Sequence, residues 1–303
     1  MKFTKLHIAI IFIAILCCIE IYLLYFIYDM KYGYKIPKNI FTYWHTSNID
    51  PIINFHIDIW KKKLPDWNIH IITMDNIHLY IDKLYYEKYV HLSHQAFSDH
   101  LRLYLLEKYG GLWMDGSILI LLPSFIDNLY RDMINNKSEL GIFEYKHKTV
   151  DKQTPYLESW FIMAPINSFT IKLWKLELDK CHIFDKIDNT NENNCKNKII
   201  ESETNIDTTI KYSNYLMIHA ILNMLCKNKK ILLDNISILQ ATDSMFYIQD
   251  KCDWDTDKMG EFVLTDKLKI YDNIYAIKFT GGIRNYFSDN FDLYKNNISN
   301  LYL

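Results

Sequence analysis

The sequence predicts an α/β fold, preceded by one apolar helix that spans a membrane. Apolar strands and amphipathic helices alternate along the first half of the chain, which is the order typical of an α/β sheet. Of the 303 residues, 50% are hydrophobic and 23% are charged, with 8 Gly and 6 Pro, which excludes a disordered or collagen-like chain. The formal net charge of -2 provides no basic field for a nucleic-acid backbone, so we expect no nucleic-acid partner.

The apolar run at residues 6–28 predicts the membrane helix. At about 1.5 Å per residue, it is long enough to cross a hydrocarbon core of about 30 Å. Lys2 and Lys5 precede it, which places the N-terminus in the cytosol, and the lack of a small-residue cleavage site favours an anchor over a signal peptide. We expect a single-pass type II membrane protein of the Golgi, the ER or a bacterial envelope. Its parts are a cytosolic tail (1–5), a signal-anchor (6–28), a juxtamembrane stem (29–36) and a lumenal or extracytoplasmic domain (37–303).

Each element of the domain follows from a local pattern. Short β-branched or aromatic runs predict the strands, at Ile40–Trp44, Trp67–Thr73, Leu112–Leu122, Ser159–Ala164, and within Ile231–Ile238 and Tyr271–Phe279. Apolar residues at helical spacing predict the helices, at Asn54–Leu64, in pieces through Tyr89, and at Ser98–Tyr109, Ser168–Leu178 and Tyr215–Cys226. The polar, Asn-rich stretch at 185–214 predicts a surface insertion.

The cysteines divide between the predicted span and the domain. Cys17 and Cys18 lie in the span, and no CxxC pair is present, which argues against a structural zinc site. In an oxidising lumen, a disulfide between Cys181 and Cys195 would close the polar stretch between them. Buried free thiols are the alternative.

The clearest helix, Ser98–Tyr109, carries the first candidate functional residues. Ser98 is its predicted N-cap, and the Gly-Gly pair that follows Tyr109 ends it. Asp99 and Arg102 are three positions apart and therefore share a face of this helix.

The strand after this helix is interrupted at Asp115-Gly116-Ser117. A carboxylate at such a break can bind Mg²⁺ or Mn²⁺, which takes one or two protein carboxylates when phosphates and waters supply the other ligands. Together with Asp99 and Arg102, the block has the outline of a site for a diphosphate and a metal. Each residue also has a structural alternative: helix-dipole complementarity for Asp99, a surface ion pair for Arg102 and a turn-forming role for Asp115.

The order S-D-x-x-R, a hydrophobic helix, then Y-G-G-x-x-x-D resembles the signature of the sugar-binding-region, DXD-type glycosyltransferases, nearest their capsular-polysaccharide-synthesis branch. Further segments between about Pro37 and Leu225 are similar to that family. They are the opening strand at 36–44, the turn at 64–67, the strand at 159–164 and the helix at 215–225, with a looser similarity at 277–280.

The resemblance implies a GT-A type, Rossmann-like nucleotide-sugar-binding domain and a divalent cation, Mn²⁺ or Mg²⁺. It implies transfer of a hexose from a nucleotide-sugar donor to a glycan or glycoconjugate acceptor, with retention of anomeric configuration. In the family, the Asp and Arg of S-D-x-x-R contact the donor, the opening-strand Trp stacks on the nucleobase, and the Asp after Y-G-G coordinates the metal. These roles fall on Asp99, Arg102, Trp44 and Asp115.

Trp113 and Ser117, on either side of Asp115, complete the predicted donor site. Ser117 stands where the DXD motif has its second Asp and offers a hydroxyl instead, a departure that bears on metal affinity. Trp160 is a candidate for the acceptor side, with a core position as the alternative. The resemblance identifies no catalytic nucleophile.

Two residues near the C-terminus, Lys278 and Thr280, are candidates to approach the diphosphate. Four histidines are widely separated or lie on helix faces, and we interpret them as structural: His45, His91, His94 and His219.

A different class of function also fits the sequence, namely a membrane-anchored carbohydrate-binding or scaffold protein with a decayed active site. The absence of a second Asp after Asp115 favours this alternative, whereas Asp99, Arg102 and Trp44 together favour the enzyme. A nucleotide-dependent hydrolase has no support, because neither a Gly-rich phosphate loop nor a Ser-His-Asp order is present.

Overall fold

The computed structural model describes residues 15, 19–20, 33–182, 215–265 and 274–301. It separates into two units, Met1–Lys35 and Ile36–Leu303, and the fold below is that of the second unit. The polar insertion at 185–214 lies outside the described residues, as does the predicted span at 6–28 apart from residues 15, 19 and 20. Within the described ranges, no helix combines the length and the apolarity needed to cross a bilayer.

A six-stranded sheet forms the centre of the unit. Its strands are β1 (Asn39–Tyr43), β2 (Asn68–Ile72), β3 (Gly111–Met114), β5 (Leu140–Glu144), β6 (Leu157–Ala164) and β7 (Ile236–Gln240). They are ordered β2-β1-β3-β6-β5-β7, and neighbours pair in parallel except at β6, which is antiparallel to both β3 and β5. The predicted α/β fold is therefore confirmed, with a mostly parallel central sheet.

A second, two-stranded sheet joins β4 (Ile118–Ile120) to β8 (Ala276–Lys278). The pairing is antiparallel and sets Ile118 opposite Lys278. The predicted single strand at Leu112–Leu122 is thus two strands in different sheets, because the chain turns at residues 115–117 and leaves the main sheet.

The helices follow the strands along the chain. They are α1 (Pro51–Lys63), α2 (Lys83–Tyr89), α3 (His94–Tyr109), α4 (Ser124–Asn136), α5 (Phe169–His182), α6 (Met217–Lys227), α7 (Tyr247–Lys251), α8 (Thr256–Leu264), α9 (Gly281–Asp289) and α10 (Phe291–Asn300). Helix α3 packs against α5, and the C-terminal helices pack near α1 and the small sheet. This second packing forms a hydrophobic cluster that includes Ile52, Leu119, Ile277, Phe287 and Tyr294.

Helix α3 begins earlier than the sequence predicts. Its N-cap is Ser93, not Ser98, and the Ser93 hydroxyl accepts a hydrogen bond from Ala96 N at 3.3 Å. Ser98 and Asp99 therefore lie in the second turn, beyond the first-turn amides on which the dipole effect depends. The dipole alternative for Asp99 loses its basis.

The cysteines in the described part have two states. Cys181, near the end of α5, is disulfide-bonded, while Cys226 and Cys252 are free and buried. The partner of Cys181 lies outside the described residues, as does Cys195, so that pairing stays a prediction.

Candidate active site

The candidate site lies at the carboxyl ends of β1 and β3, beside the start of β6. Strand β1 has β2 on one side and β3 on the other, so the order of the chain reverses between β1 and β3. Open α/β sheets bind ligands in the crevice at such a reversal. The main chain ties this crevice to β6, because Asp115 N donates to Trp160 O at 2.9 Å.

A Gly-Gly turn fixes α3 against β3. Gly110 has a φ of +60°, and a Cβ at this position would lie 2.6 Å from the main-chain nitrogen of Ile166. Gly111 has a φ of +106°, and its Cβ would lie 2.6 Å from Asn39 O. Any side chain here is strained and also meets backbone. The pair therefore sets the distance between the residues on α3 and the loop after β3.

Arg102 is 6% exposed, and each of its three nitrogens donates to an acceptor in the protein. Its Nε donates to Ser98 O at 3.3 Å, and its Nη1 donates to Ser159 O at 2.6 Å and to Ser159 Oγ at 2.7 Å. Its Nη2 lies 3.2 Å from Ser98 Oγ and 3.1 Å from Asp99 Oδ1. The surface-pair alternative is wrong, since Arg102 is a buried junction between α3 and β6.

Both carboxylate oxygens of Asp115 face donors. Trp113 Nε1 donates to Oδ1 at 3.0 Å, and Arg102 Nη2 lies 3.7 Å from the same oxygen. Lys278 Nζ lies 3.2 Å from Oδ2. Burial raises the pKa of this carboxyl, but the charges of Lys278 and Arg102 outweigh burial, so that the pKa lies below its ordinary value. Asp115 therefore stays ionised in the site.

The C-terminal segment supplies Lys278, the last residue of β8. The side chain is 14% exposed, and its Nζ donates to Ser117 Oγ at 2.6 Å. Burial lowers the pKa of Lys278, and the carboxylate of Asp115 opposes that effect. The ammonium thus lies between the side chains of Asp115 and Ser117.

Asp99 differs from Asp115 in its ionisation. Burial, with a further contribution from the charge of Asp115, raises the pKa of Asp99 to about 6, although Arg102 and His219 oppose the shift. The site therefore holds two carboxyl groups whose pKa values are moved in opposite directions.

Two of the predicted tryptophans face the protein. Trp113 is 1% exposed, and the guanidinium of Arg102 lies 5.1 Å from its ring centroid. Trp160 is 6% exposed, and its ring lies 5.0 Å from Phe143 and 5.5 Å from Phe246. These surroundings favour the core alternative for Trp160, whose main chain alone reaches Asp115.

Trp44 directly follows β1 and is half-buried. The guanidinium of Arg284, on α9, lies 5.4 Å from the ring centroid of Trp44. Arg284 Nε is buried and has no hydrogen-bond partner among the described residues. Arg284 was not among the residues predicted from the sequence, although the chain has just three arginines, at 102, 131 and 284, in a composition that otherwise uses Lys.

Two further residues were named from the sequence, His219 as a structural histidine and Thr280 as a candidate to approach the diphosphate. His219, interpreted as structural, lies on α6 with its Nε2 3.2 Å from Ser159 Oγ and 3.5 Å from Glu158 Oε2. Because Ser159 also accepts from Arg102, it links the two basic side chains. Thr280, the other C-terminal candidate, is the N-cap residue of α9.

A buried histidine supports the loop at 115–117. His56 Nδ1 lies 3.1 Å from Gly116 O, and its Nε2 lies 2.6 Å from the hydroxyl of Tyr294. Burial lowers the pKa of His56 to about 3, so the ring is neutral, donating from Nδ1 and accepting at Nε2. Gly116 has no room for a side chain, since a Cβ would lie 2.6 Å from Ile53 Cγ2.

The donor set of this loop does not fit a divalent cation. Asp115 is its one carboxylate, both of its oxygens already face donors, and Lys278 and Arg102 would repel a second positive ion. Over the ranges that the structure describes, no three His, Cys, Asp or Glu residues group to hold a metal. Mn²⁺ or Mg²⁺ stays a prediction from the sequence.

Comparison with known proteins gives three results. A family model described as "Capsular polysaccharide synthesis protein" matches residues 15–289. The chain is 26% identical over 141 residues, 42% of its length, to the O-glycosyltransferase braB of Annulohypoxylon truncatum, and the match spans 30% of that protein. The solved PaToxG glycosyltransferase aligns over 96% of this chain and 97% of its own, at 15% identity and a TM-score of 0.38. Because the family model spans most of the sequence, the chain belongs to the capsular polysaccharide synthesis protein family.

Proposed function

We propose that this protein is a glycosyltransferase of GT-A type, which transfers a hexose from a nucleotide-sugar donor to a glycan or glycoconjugate acceptor. One observation carries the proposal. The ionic cluster of Asp99, Arg102, Asp115 and Lys278 lies at the carboxyl edge of the sheet, where the strand order reverses. The name of the relative from Annulohypoxylon truncatum, an O-glycosyltransferase, supports the same class of reaction.

The charges of the site suit the departure of a nucleoside diphosphate. When the bond between the sugar C1 and the β-phosphate oxygen breaks, the electron pair stays on the phosphate, and fixed positive groups nearby stabilise that charge. Lys278, at the loop, and Arg284, over Trp44, are the groups in position to do this. Trp44 offers a half-buried ring for the nucleobase.

Retention of configuration, implied by the family resemblance, is part of the proposal. In a front-face transfer, the acceptor hydroxyl bonds to C1 on the side that the diphosphate leaves, and its proton passes to the departing phosphate. Such a step needs no protein nucleophile, and none was identified in the sequence. The proposal also includes membrane anchoring by residues 6–28, which alkaline extraction of membranes carrying the full chain would test.

The test is release of nucleotide from a panel of UDP- and GDP-hexoses by the full chain in detergent. We expect one donor to be hydrolysed slowly without an acceptor, and Asp115→Ala and Asp99→Ala to lower the rate by about 100-fold or more. Asp127→Ala, which removes an exposed carboxylate on α4, is the matched control and should leave the rate unchanged.

The alternative function makes the opposite prediction. Ser117 in place of a second carboxylate is the observation that favours a carbohydrate-binding or scaffold protein with a decayed site. If no donor is hydrolysed and none raises the Tm, while a glycan array retains the protein, the binding function replaces the enzyme.

A further inference from the structure

The ammonium of Lys278 lies between the side chains of the first and third residues of the loop at 115–117. Its Nζ lies 3.2 Å from Asp115 Oδ2 and 2.6 Å from Ser117 Oγ, so it bridges the first and third residues of the loop. Its third contact, to Phe279 O, is the longest at 3.4 Å. The position is built by the fold, since the pairing of β8 with β4 sets Lys278 opposite Ile118.

The charges balance in the same way as in a metal site. Two carboxylates with a divalent cation sum to zero, and so do one carboxylate, one hydroxyl and one ammonium. Replacing the second Asp by Ser117 therefore removes the negative charge that an added cation would need, while Lys278 supplies a positive charge from the protein itself. The loss of the second carboxylate and the positive charge of Lys278 both favour a loop that holds no metal.

Within the described ranges, the two arginines at the site are held differently from Lys278. Each of the three nitrogens of Arg102 already donates to an acceptor in the protein. Arg284 stands over Trp44, on the side of the first strand, although its charge is close enough to act on Lys278. Of these three side chains, Lys278 is the one that can exchange a long contact, that to Phe279 O, for a phosphate oxygen while remaining against Asp115.

We propose that Lys278 takes the place of the divalent cation, so that the nucleoside diphosphate of the donor binds and leaves without a metal. This inference rests on the proposed function. The ammonium holds the β-phosphate oxygens while the C1–O bond breaks, and it keeps its proton throughout. The electron pair goes to the phosphate, the acceptor oxygen bonds to C1, and the acceptor proton leaves with the diphosphate. Asp115 is then a positioning residue that orients Lys278.

The experiment is calorimetric titration of the full chain in detergent with UDP, GDP and CDP, in EDTA and in Mn²⁺. We expect one of them to bind with affinities that agree within about twofold in the two buffers. Lys278→Met should weaken that binding in EDTA by about tenfold or more, the loss expected for a charge-assisted contact. Lys61→Met, which removes an exposed lysine of α1, is the control and should change nothing.

Asp115→Asn distinguishes a diphosphate held by Lys278 from one held by a metal on Asp115. This test does not depend on whether Lys278→Met folds. If Lys278 holds the diphosphate, Asp115→Asn keeps binding in EDTA. Binding that needs Mn²⁺, or that survives Lys278→Met, overturns the assignment of Lys278 and leaves the proposed function standing. If none of the three diphosphates binds in either buffer and no donor is hydrolysed, the assignment and the proposed function both fall.

Discussion

The three basic groups of the candidate site come from two distant parts of the chain and are held in different ways. Arg102, from the block after residue 93, donates hydrogen bonds to the protein from all three of its nitrogens. The C-terminal segment supplies Lys278, which has one long contact at 3.4 Å, and Arg284, whose buried Nε has no partner within the described ranges.

The difference indicates which basic groups stabilise the fold and which can respond to a bound ligand. An arginine whose three nitrogens all donate within the protein cannot turn toward a ligand without weakening the hydrogen bonds that hold α3 to β6. A side chain with a weak contact or an unused donor can take up a phosphate oxygen at little cost. We therefore expect the first block to determine stability and the C-terminal segment to determine binding.

The largest effect should come from Arg102→Met. Removing the guanidinium leaves Asp99 without its partner at 3.1 Å and Asp115 with one cation fewer, and breaking a buried ion pair costs about 3–5 kcal/mol. Urea denaturation measures the free energy of unfolding. Arg131→Met, on the exposed face of α4, is the control and should cost less than about 0.5 kcal/mol. Equal losses in the two variants would mean that Arg102 is not the junction described above.

The second effect concerns His56, which ties the loop to α10. Its pKa is about 3 in the folded protein against 6.5 for an ordinary histidine, so the unfolded chain binds the extra proton between these values. Stability attributable to His56 is present above pH 6.5 and is lost as the pH falls. Between pH 7 and pH 5 the loss is about 2 kcal/mol.

His56→Gln should remove this part of the pH dependence. The measurement is the free energy of unfolding at pH 7, 6 and 5 for the wild type and the variant. The prediction concerns the slope of this free energy against pH, not its absolute value. A variant whose stability falls as steeply as that of the wild type would show that His56 is not buried as the structure places it.

Much of the first half of the fold was predictable, because its signals are local. Short β-branched or aromatic runs predict β1 and β2 to within a residue or so, and the Gly-Gly pair marks the end of α3. The start of α3 was misplaced, since Ser93 and Ser98 are both acceptable N-caps and only the structure shows which hydroxyl accepts from the helix. Helix α4 and strand β5 were not assigned, although the buried residues of α4 follow a helical spacing: Phe125, Ile126, Leu129 and Met133.

The site was predictable only where the residues are close in sequence. Asp99, Arg102, Asp115 and Ser117 fall within one block, and the structure brings them together. Lys278 was named as a candidate for the diphosphate, but its place between Asp115 and Ser117 depends on the pairing of β8 with β4, across about half the chain. Sequence patterns carry no information on a contact of that range.

The third, smaller effect is the contribution of Asp99 to stability, which changes with pH in the opposite direction to that of His56. The pKa of Asp99 is raised to about 6 from 3.8, so the folded protein binds the extra proton between these values. Its contribution is therefore most favourable at low pH and is lost as the pH rises through 6. Between pH 5 and pH 7 this contribution should lower the free energy of unfolding of the wild type by about 1 kcal/mol, a loss that Asp99→Asn does not show.

The same denaturation series checks Asp99→Asn, and its comparison with His56→Gln is the control, because the two variants should change the slope in opposite directions. The constant offset between Asp99→Asn and the wild type reports the lost contact to Arg102 and is not part of the prediction. Slopes that change in the same direction would refute one of the two assignments.

The smallest effect on stability should come from Arg284→Lys, and it tests the C-terminal half of the comparison. Lysine keeps the charge over Trp44 but loses the planar guanidinium and its unused Nε donor, so stability should fall by only about 0.5–1 kcal/mol. The same titration measures the affinity for the nucleoside diphosphate that binds best. Arg284→Lys should lower this affinity several-fold more than Arg131→Lys does. A large loss of stability with unchanged affinity would place Arg284 in the scaffold with Arg102, and the division between the two regions would not hold.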